Sequence, residues 1–170
     1  GLFIVGVVVT DNQREQVMRA LEKIESGSKK NIKKWQKTPR KYRQSYIQGL
    51  LKNDILRGIL FFEIHKNSKQ YIKMTSFSTA KAILRRAGTN DYRASIWIDG
   101  FRKRELEEVT RWLKEMGITR KKLRGARKEE NNILIRLADA GCGLARDADK
   151  DEWAKQTITK LKKEGIITPL

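Results

Sequence analysis

From Tyr92 to Asp99 the chain reads YRASIWID, and from Gly100 to Met116 it reads GFRKRELEEVTRWLKEM. The first stretch alternates. Tyr92, Ala94, Ile96 and Ile98 share one face, while Arg93, Ser95, Trp97 and Asp99 share the other, the period of a strand with one buried side. Asp99-Gly100 is a turn pair. Beyond it the apolar period changes. Leu106, Val109, Leu113 and Met116 recur at helical spacing, and Gly117 stops that helix. A short basic strand follows at about Lys121–Ala126, then a helix over residues 131–147 with Leu134, Leu137, Ala138, Gly141 and Ala145 turned inward. Alternation of strand and helix predicts parallel pairing and an α/β fold.

The same reading extends toward both termini. Leu2–Thr10, LFIVGVVVT, is apolar and β-branched without alternation, which predicts a strand buried on both faces. Val17, Ala20, Leu21 and Ile24 place a helix after it, ending near Glu25. Gly58–Lys66, GILFFEIHK, predicts a second strand with Ile59, Phe61, Glu63 and His65 on one face. Helices are expected at Arg43–Lys52, Tyr71–Arg86 and Lys150–Glu164. With 170 residues, 39% of them hydrophobic, the chain supplies one core, read as a single domain over residues 1–170.

Charge narrows the partners. Lys and Arg number 38 against 20 Asp and Glu, a formal net charge of +18. Such a surface attracts polyanions, and nucleic acid gains further from counterion release. The alternative is a solvated surface of thermophilic type, but those usually balance the two signs. Two basic runs stand out. Lys29–Arg43, KKNIKKWQKTPRKYR, carries eight Lys or Arg with Trp35 and Tyr42 among them. In it Lys33, Lys34, Lys37, Arg40, Lys41 and Arg43 would take phosphates while Trp35 stacks on a base. Trp35 as a core anchor is the equal alternative. Residues 120–128, RKKLRGARK, place six Lys or Arg in nine positions. Lys121, Lys122, Arg124 and Arg127 would extend a groove.

Other classes drop out. One cysteine, Cys142, allows no intrachain disulfide and no cysteine-based zinc site. One histidine, His65, makes no multi-histidine site. Any metal would sit on carboxylates, which favours Mg²⁺ or Mn²⁺. No run reaches the length of a membrane span. The opening Leu2–Val9 lacks a basic n-region and a cleavage site, so a cytoplasmic location is expected. Three acids are candidates for chemistry. Asp99 ends a strand, where open α/β sheets bind ligands, although a turn aspartate before glycine is the equal alternative. Asp139 lies between small residues in Leu137-Ala138-Asp139-Ala140-Gly141, a sign that something approaches the helix closely. Periodicity points its side chain away from the core. Glu63 interrupts an apolar strand and needs a partner if buried. Asp147, two turns beyond Asp139, could share its face, and a solvated charge is the plainer reading of it.

Three stretches carry a likeness: Phe3–Val9, the strand-helix unit Phe61–Leu84 with Tyr71 and Thr75, and Ile133-Leu134-Ile135-Arg136-Leu137-Ala138-Asp139. On these the chain resembles the ribonuclease-H-like family catalogued as domain of unknown function 3800. The resemblance implies a five-stranded mixed sheet flanked by helices, three strands antiparallel and then two parallel. It implies that Asp99 and Asp139 hold Mg²⁺ or Mn²⁺, which would activate water and stabilise a departing oxygen. Two features depart from the family. Its opening Asp-Glu-Ser-Gly strand has no counterpart, and Arg136 stands where the family has Gln. Either the first strand is missing from this chain or this member lacks an essential carboxylate; no aspartate substitutes for it, and Glu63 is the one internal acid that is a candidate. Two functions are therefore expected: a metal-dependent nuclease or related phosphoryl-transfer enzyme, or a non-catalytic basic module that keeps the fold and binds DNA or RNA. An interaction domain for an acidic protein is a third reading. An edge left open by a missing strand would favour pairing with a second copy, a homodimer.

Overall fold

The computed structural model describes residues 2–89, 91–126 and 132–170. Strand β1 (Phe3–Val8) runs antiparallel to β2 (Leu60–His65), with Phe3 opposite His65 and Val8 opposite Leu60. A three-residue strand at the C-terminus, Ile167–Pro169, joins the far edge of β2 in parallel. This small mixed sheet has β2 at its centre and, among the described residues, leaves one edge of β1 unpaired. Only Ile4 and Val5 of β1 are buried, so the strand is less enclosed than its apolar run predicts.

Helix α1 (Arg14–Gly27) follows β1, and α2 (Arg40–Leu51) follows the basic run. It starts three residues earlier than expected, because Pro39 takes the N-cap position and leads the chain straight into the helix. Helix α3 (Tyr71–Ala87) ends at Gly88 in the left-handed conformation. The quoted unit folds as read: β3 (Ala94–Asp99), then α4 (Lys103–Glu115), then β4 (Arg120–Ala126). Strands β3 and β4 are parallel, with a register irregularity between Ala94 and Ser95. Helices α5 (Ile133–Asp147) and α6 (Glu152–Lys163) follow, and the terminal strand Ile167–Pro169 is β5. Asn132 caps α5 by accepting from the N–H groups of Leu134 and Ile135 at 3.0 and 3.2 Å. Asp151 caps α6 in the same way through Ala154.

The fold class is α/β, with a mixed sheet of antiparallel and parallel strands flanked by helices. The strands differ from the expected single five-stranded sheet, because β3 and β4 form a separate pair and β1 and β3 are both edges. Two apolar clusters match this division. One gathers Ile4, Leu21, Trp35, Tyr46, Phe62, Leu137, Leu144 and Leu161 from the β1-β2-β5 side. The other gathers Ile83, Ile96, Ile98, Val109, Leu113 and Ile118. Aromatic contacts tie the two: Tyr71 lies edge-on to both Phe3 and Phe101, at centroid distances of 6.3 and 5.7 Å. Among the described residues no helix is long and apolar enough to cross a membrane.

Helix α5 lies unusually close to β1. A Cβ on Gly6 would fall 2.6 Å from Cys142 Sγ and 2.8 Å from the Ala138 carbonyl oxygen. On Gly143 it would fall 2.2 Å from Trp35 Cδ1, and on Gly141 3.2 Å from Leu60. The small residues around Asp139 therefore admit a strand and a tryptophan.

Candidate nucleic-acid interface

The basic run Lys29–Arg43 is built around a buried tryptophan. Trp35 is 2% exposed. Its backbone N–H donates to Asp139 Oδ2 at 2.8 Å, and its indole Nε1–H donates to Asp147 Oδ2 at 2.7 Å. Asp139 and Asp147 do share a face, and what they share is this tryptophan. Arg43 completes the knot: its guanidinium lies 5.1 Å from the Trp35 ring centroid and donates to the Trp35 and Gln36 carbonyls and to Asp147. Stacking of Trp35 on a base is therefore corrected to its alternative, a core anchor.

Other cations of the run are also committed. Arg40 pairs with Asp151 at 3.1 Å and lies over Trp153. Lys30 is fully buried, donates to the Lys33 carbonyl at 2.6 Å and sits 5.0 Å from the Tyr46 ring centroid. Its burial holds its pKa below the ordinary lysine value, against the opposing charges of Glu25 and Asp139. Glu25 itself forms a buried pair with Arg136 at 2.7 and 3.0 Å. Arg136 is thus half of a core ion pair. Lys33, Lys34, Lys37 and Lys41 remain at the exposed surface.

Glu63 is occupied as well. It accepts from Lys81 Nζ and from Ser78 Oγ, and Ser78 Oγ lies 3.2 Å from His65 Nε2. Desolvation raises the Glu63 pKa, but the bonds from Lys81 and Ser78 and the neighbouring positive charge outweigh it and leave the carboxyl below its ordinary range. Ser78 is fully buried, so the trio is a packed polar contact between β2 and α3 rather than an accessible nucleophile. Cys142 is equally quiet: burial pushes its thiol up to about 12.

Asp99 and Asp139 stand on different elements and in different surroundings. Asp99 ends β3 at the solvent-exposed side, while Asp139 lies on α5 beneath Trp35. Among the described residues no group of three or more His, Cys, Asp and Glu side chains could hold a metal ion. A divalent ion needs several free oxygen donors. Asp139 spends one oxygen on a backbone N–H, and both Glu63 oxygens are taken by Lys81 and Ser78. Among the described residues, Asp139 and Glu63 therefore do not offer the set of free oxygens that Mg²⁺ or Mn²⁺ takes.

What remains open is the outer face of β3 and β4. The inner face turns Ile96, Ile98 and Leu123 into the core. By strand alternation the outer face carries Ser95, Trp97 and Asp99 beside Lys122, Arg124 and Ala126, their partners in the ladder. Trp97 is 37% exposed, a large aromatic surface left at solvent. Lys122 Nζ lies 4.8 Å from its ring centroid, and Arg14 Cζ, from the first turn of α1, lies 5.9 Å away. Lys121 and Arg124 are exposed on the same strand, and Arg127 lies outside the described residues. Among the described residues the Asp99 carboxylate has no hydrogen-bond or ion-pair partner. Sequence reasoning located the cations and Asp99 but passed over Trp97, although the alternation already placed it on the polar face with Arg93 and Ser95. No family model, no curated protein and no solved structure matches this chain.

Proposed function

We propose that this chain is a non-catalytic nucleic-acid-binding module on a ribonuclease-H-like α/β scaffold, and that it binds through the outer face of β3 and β4. The observation that carries the reading is Trp97, exposed at the centre of a small sheet face and capped by Lys122 and Arg14. An aromatic ring offers a stacking surface for any base, and cations beside it take the phosphates. An arriving base displaces one capping cation, which then meets the backbone of the same strand. The net charge of +18 supplies long-range attraction. The scaffold is supported by the antiparallel β1–β2 pair followed in the chain by the parallel β3–β4 pair. The nuclease reading has less support, since Asp139 gives one oxygen to the Trp35 N–H and Glu63 gives both of its oxygens to Ser78 and Lys81.

The test is fluorescence anisotropy with labelled single-stranded oligonucleotides, for the wild type and Trp97→Ala. Stacking on one base is worth about 1–3 kcal/mol, so the variant is expected to bind roughly 5- to 150-fold more weakly. Equal binding by both proteins would remove Trp97 from the interface and overturn the proposal. Incubation of the same oligonucleotides with Mn²⁺, Mg²⁺ or EDTA is expected to leave them intact. Metal-dependent cutting that Asp99→Asn and Asp139→Asn abolish would restore the nuclease.

A further inference from the structure

We infer that Asp99 reads the base stacked on Trp97, and that it selects guanine in a single strand. The inference rests on the binding face proposed above and adds to it a base-reading residue. Asp99 lies two positions after Trp97 on β3, on the same side of the sheet. Two strand residues advance about 6.6 Å, roughly the span from the centre of a stacked purine to a group bonded at its edge. The adjoining Gly100 turns the chain away at φ +77°, and a Cβ there would meet nothing within 4 Å.

The charge of Asp99 is out of place on this face. A carboxylate accepts hydrogen bonds and donates none, so it repels the phosphates that Lys122, Arg124 and Arg14 attract. It has no protein donor among the described residues. The donors that a nucleic acid can bring are the N–H groups of its bases and, in RNA, the 2′-hydroxyls, and only the bases differ from one nucleotide to the next. Guanine presents two of them side by side, N1–H and N2–H₂, which meet both oxygens of one carboxylate. Adenine and cytosine present one amino group next to a ring nitrogen that is itself an acceptor. Uracil and thymine present one N–H between two carbonyls. In a duplex these edges are consumed by pairing, so the preference requires an unpaired strand.

The experiment uses the full chain and nine-nucleotide RNAs of uridine with one central position varied: guanosine, inosine, adenosine, cytidine or uridine. A good bidentate pair discriminates by roughly tenfold. The wild type is expected to bind the guanosine strand about tenfold more tightly than the uridine strand. Inosine, which keeps N1–H and lacks the 2-amino group, falls between them. Asp99→Asn and Asp99→Ala are expected to bring the guanosine-to-uridine ratio to about one. Asp99 is exposed, so both variants should fold, and circular dichroism checks this. Trp97-dependent binding with no base preference in the wild type would overturn the inference and leave the binding face intact. Binding that is indifferent to Trp97 would overturn both.

Discussion

Asp139 owes its position to Trp35. Its carboxylate accepts the Trp35 backbone N–H at 2.8 Å, inside a segment whose ring is 2% exposed. Removing the acceptor leaves a half-buried donor without a partner, which costs about 1–3 kcal/mol. Asp139→Ala is therefore expected to lose about that much stability in urea denaturation. Asp139→Asn should lose less, because the amide oxygen still accepts. A metal ligand would behave differently: Mn²⁺ would stabilise the wild type and not the variant. Equal stability with Mn²⁺ and with EDTA is the expected result, and a Mn²⁺-dependent rise confined to the wild type would sink this account. The sequence held both readings of Trp35 level for a physical reason. The acids that settle it lie 104 and 112 residues further along the chain, and no local period carries that information. Asp99 was legible because a strand period and a following glycine are both local.

At the scale of elements, the closest approach in the fold is α5 against β1, and Gly6 permits it. The Cβ of Ala at this position would lie 2.8 Å from the Ala138 carbonyl oxygen, a backbone atom that cannot swing aside, and 2.6 Å from Cys142 Sγ. Gly6→Ala is expected to cost about 1–3 kcal/mol through overpacking. Gly27→Ala, at the end of α1 with nothing within 4 Å of its Cβ, is the control and should be neutral or stabilise by about 0.5 kcal/mol. Matching urea midpoints for the two variants would refute the packing argument. The succession of β1, α1, α2, β2, α3, β3, α4, β4, α5 and α6 could be read from local signals, an unbroken apolar run for β1, alternation for β2 and β3, helical spacing and breakers such as Pro39 and Gly117 for the rest, because each is written in adjacent residues. Strand β5 could not. Its three residues are too few to show a period, and it is held by pairing with Leu60, Phe61 and Phe62. The division into two sheets was hidden too, since pairing between distant strands leaves no local mark.

For the whole molecule the question is whether binding follows total charge or its placement. The net charge of +18 would give any polyanion some affinity. Some of the basic residues are not free to form a patch: Lys30 is buried, and Arg40, Arg43 and Arg136 are held by Asp151, Asp147 and Glu25. On β4, Lys122 and Arg124 stand on the open face beside Trp97. Each phosphate contact on a single strand contributes about 0.7 to the slope of log affinity against log salt. Lys122→Ala/Arg124→Ala is therefore expected to flatten that slope by about 1.4. Lys160→Ala/Lys163→Ala removes the same two charges from exposed positions at the end of α6. Its slope should stay that of the wild type, with only a small uniform loss of affinity. Anisotropy titrations of one uridine-rich strand across a range of NaCl concentrations measure all three slopes. Equal flattening by the two double variants would mean that the chain attracts nucleic acid as a diffuse cation. A change confined to the β4 pair would mean that the strand follows the face on which Trp97 and Asp99 lie.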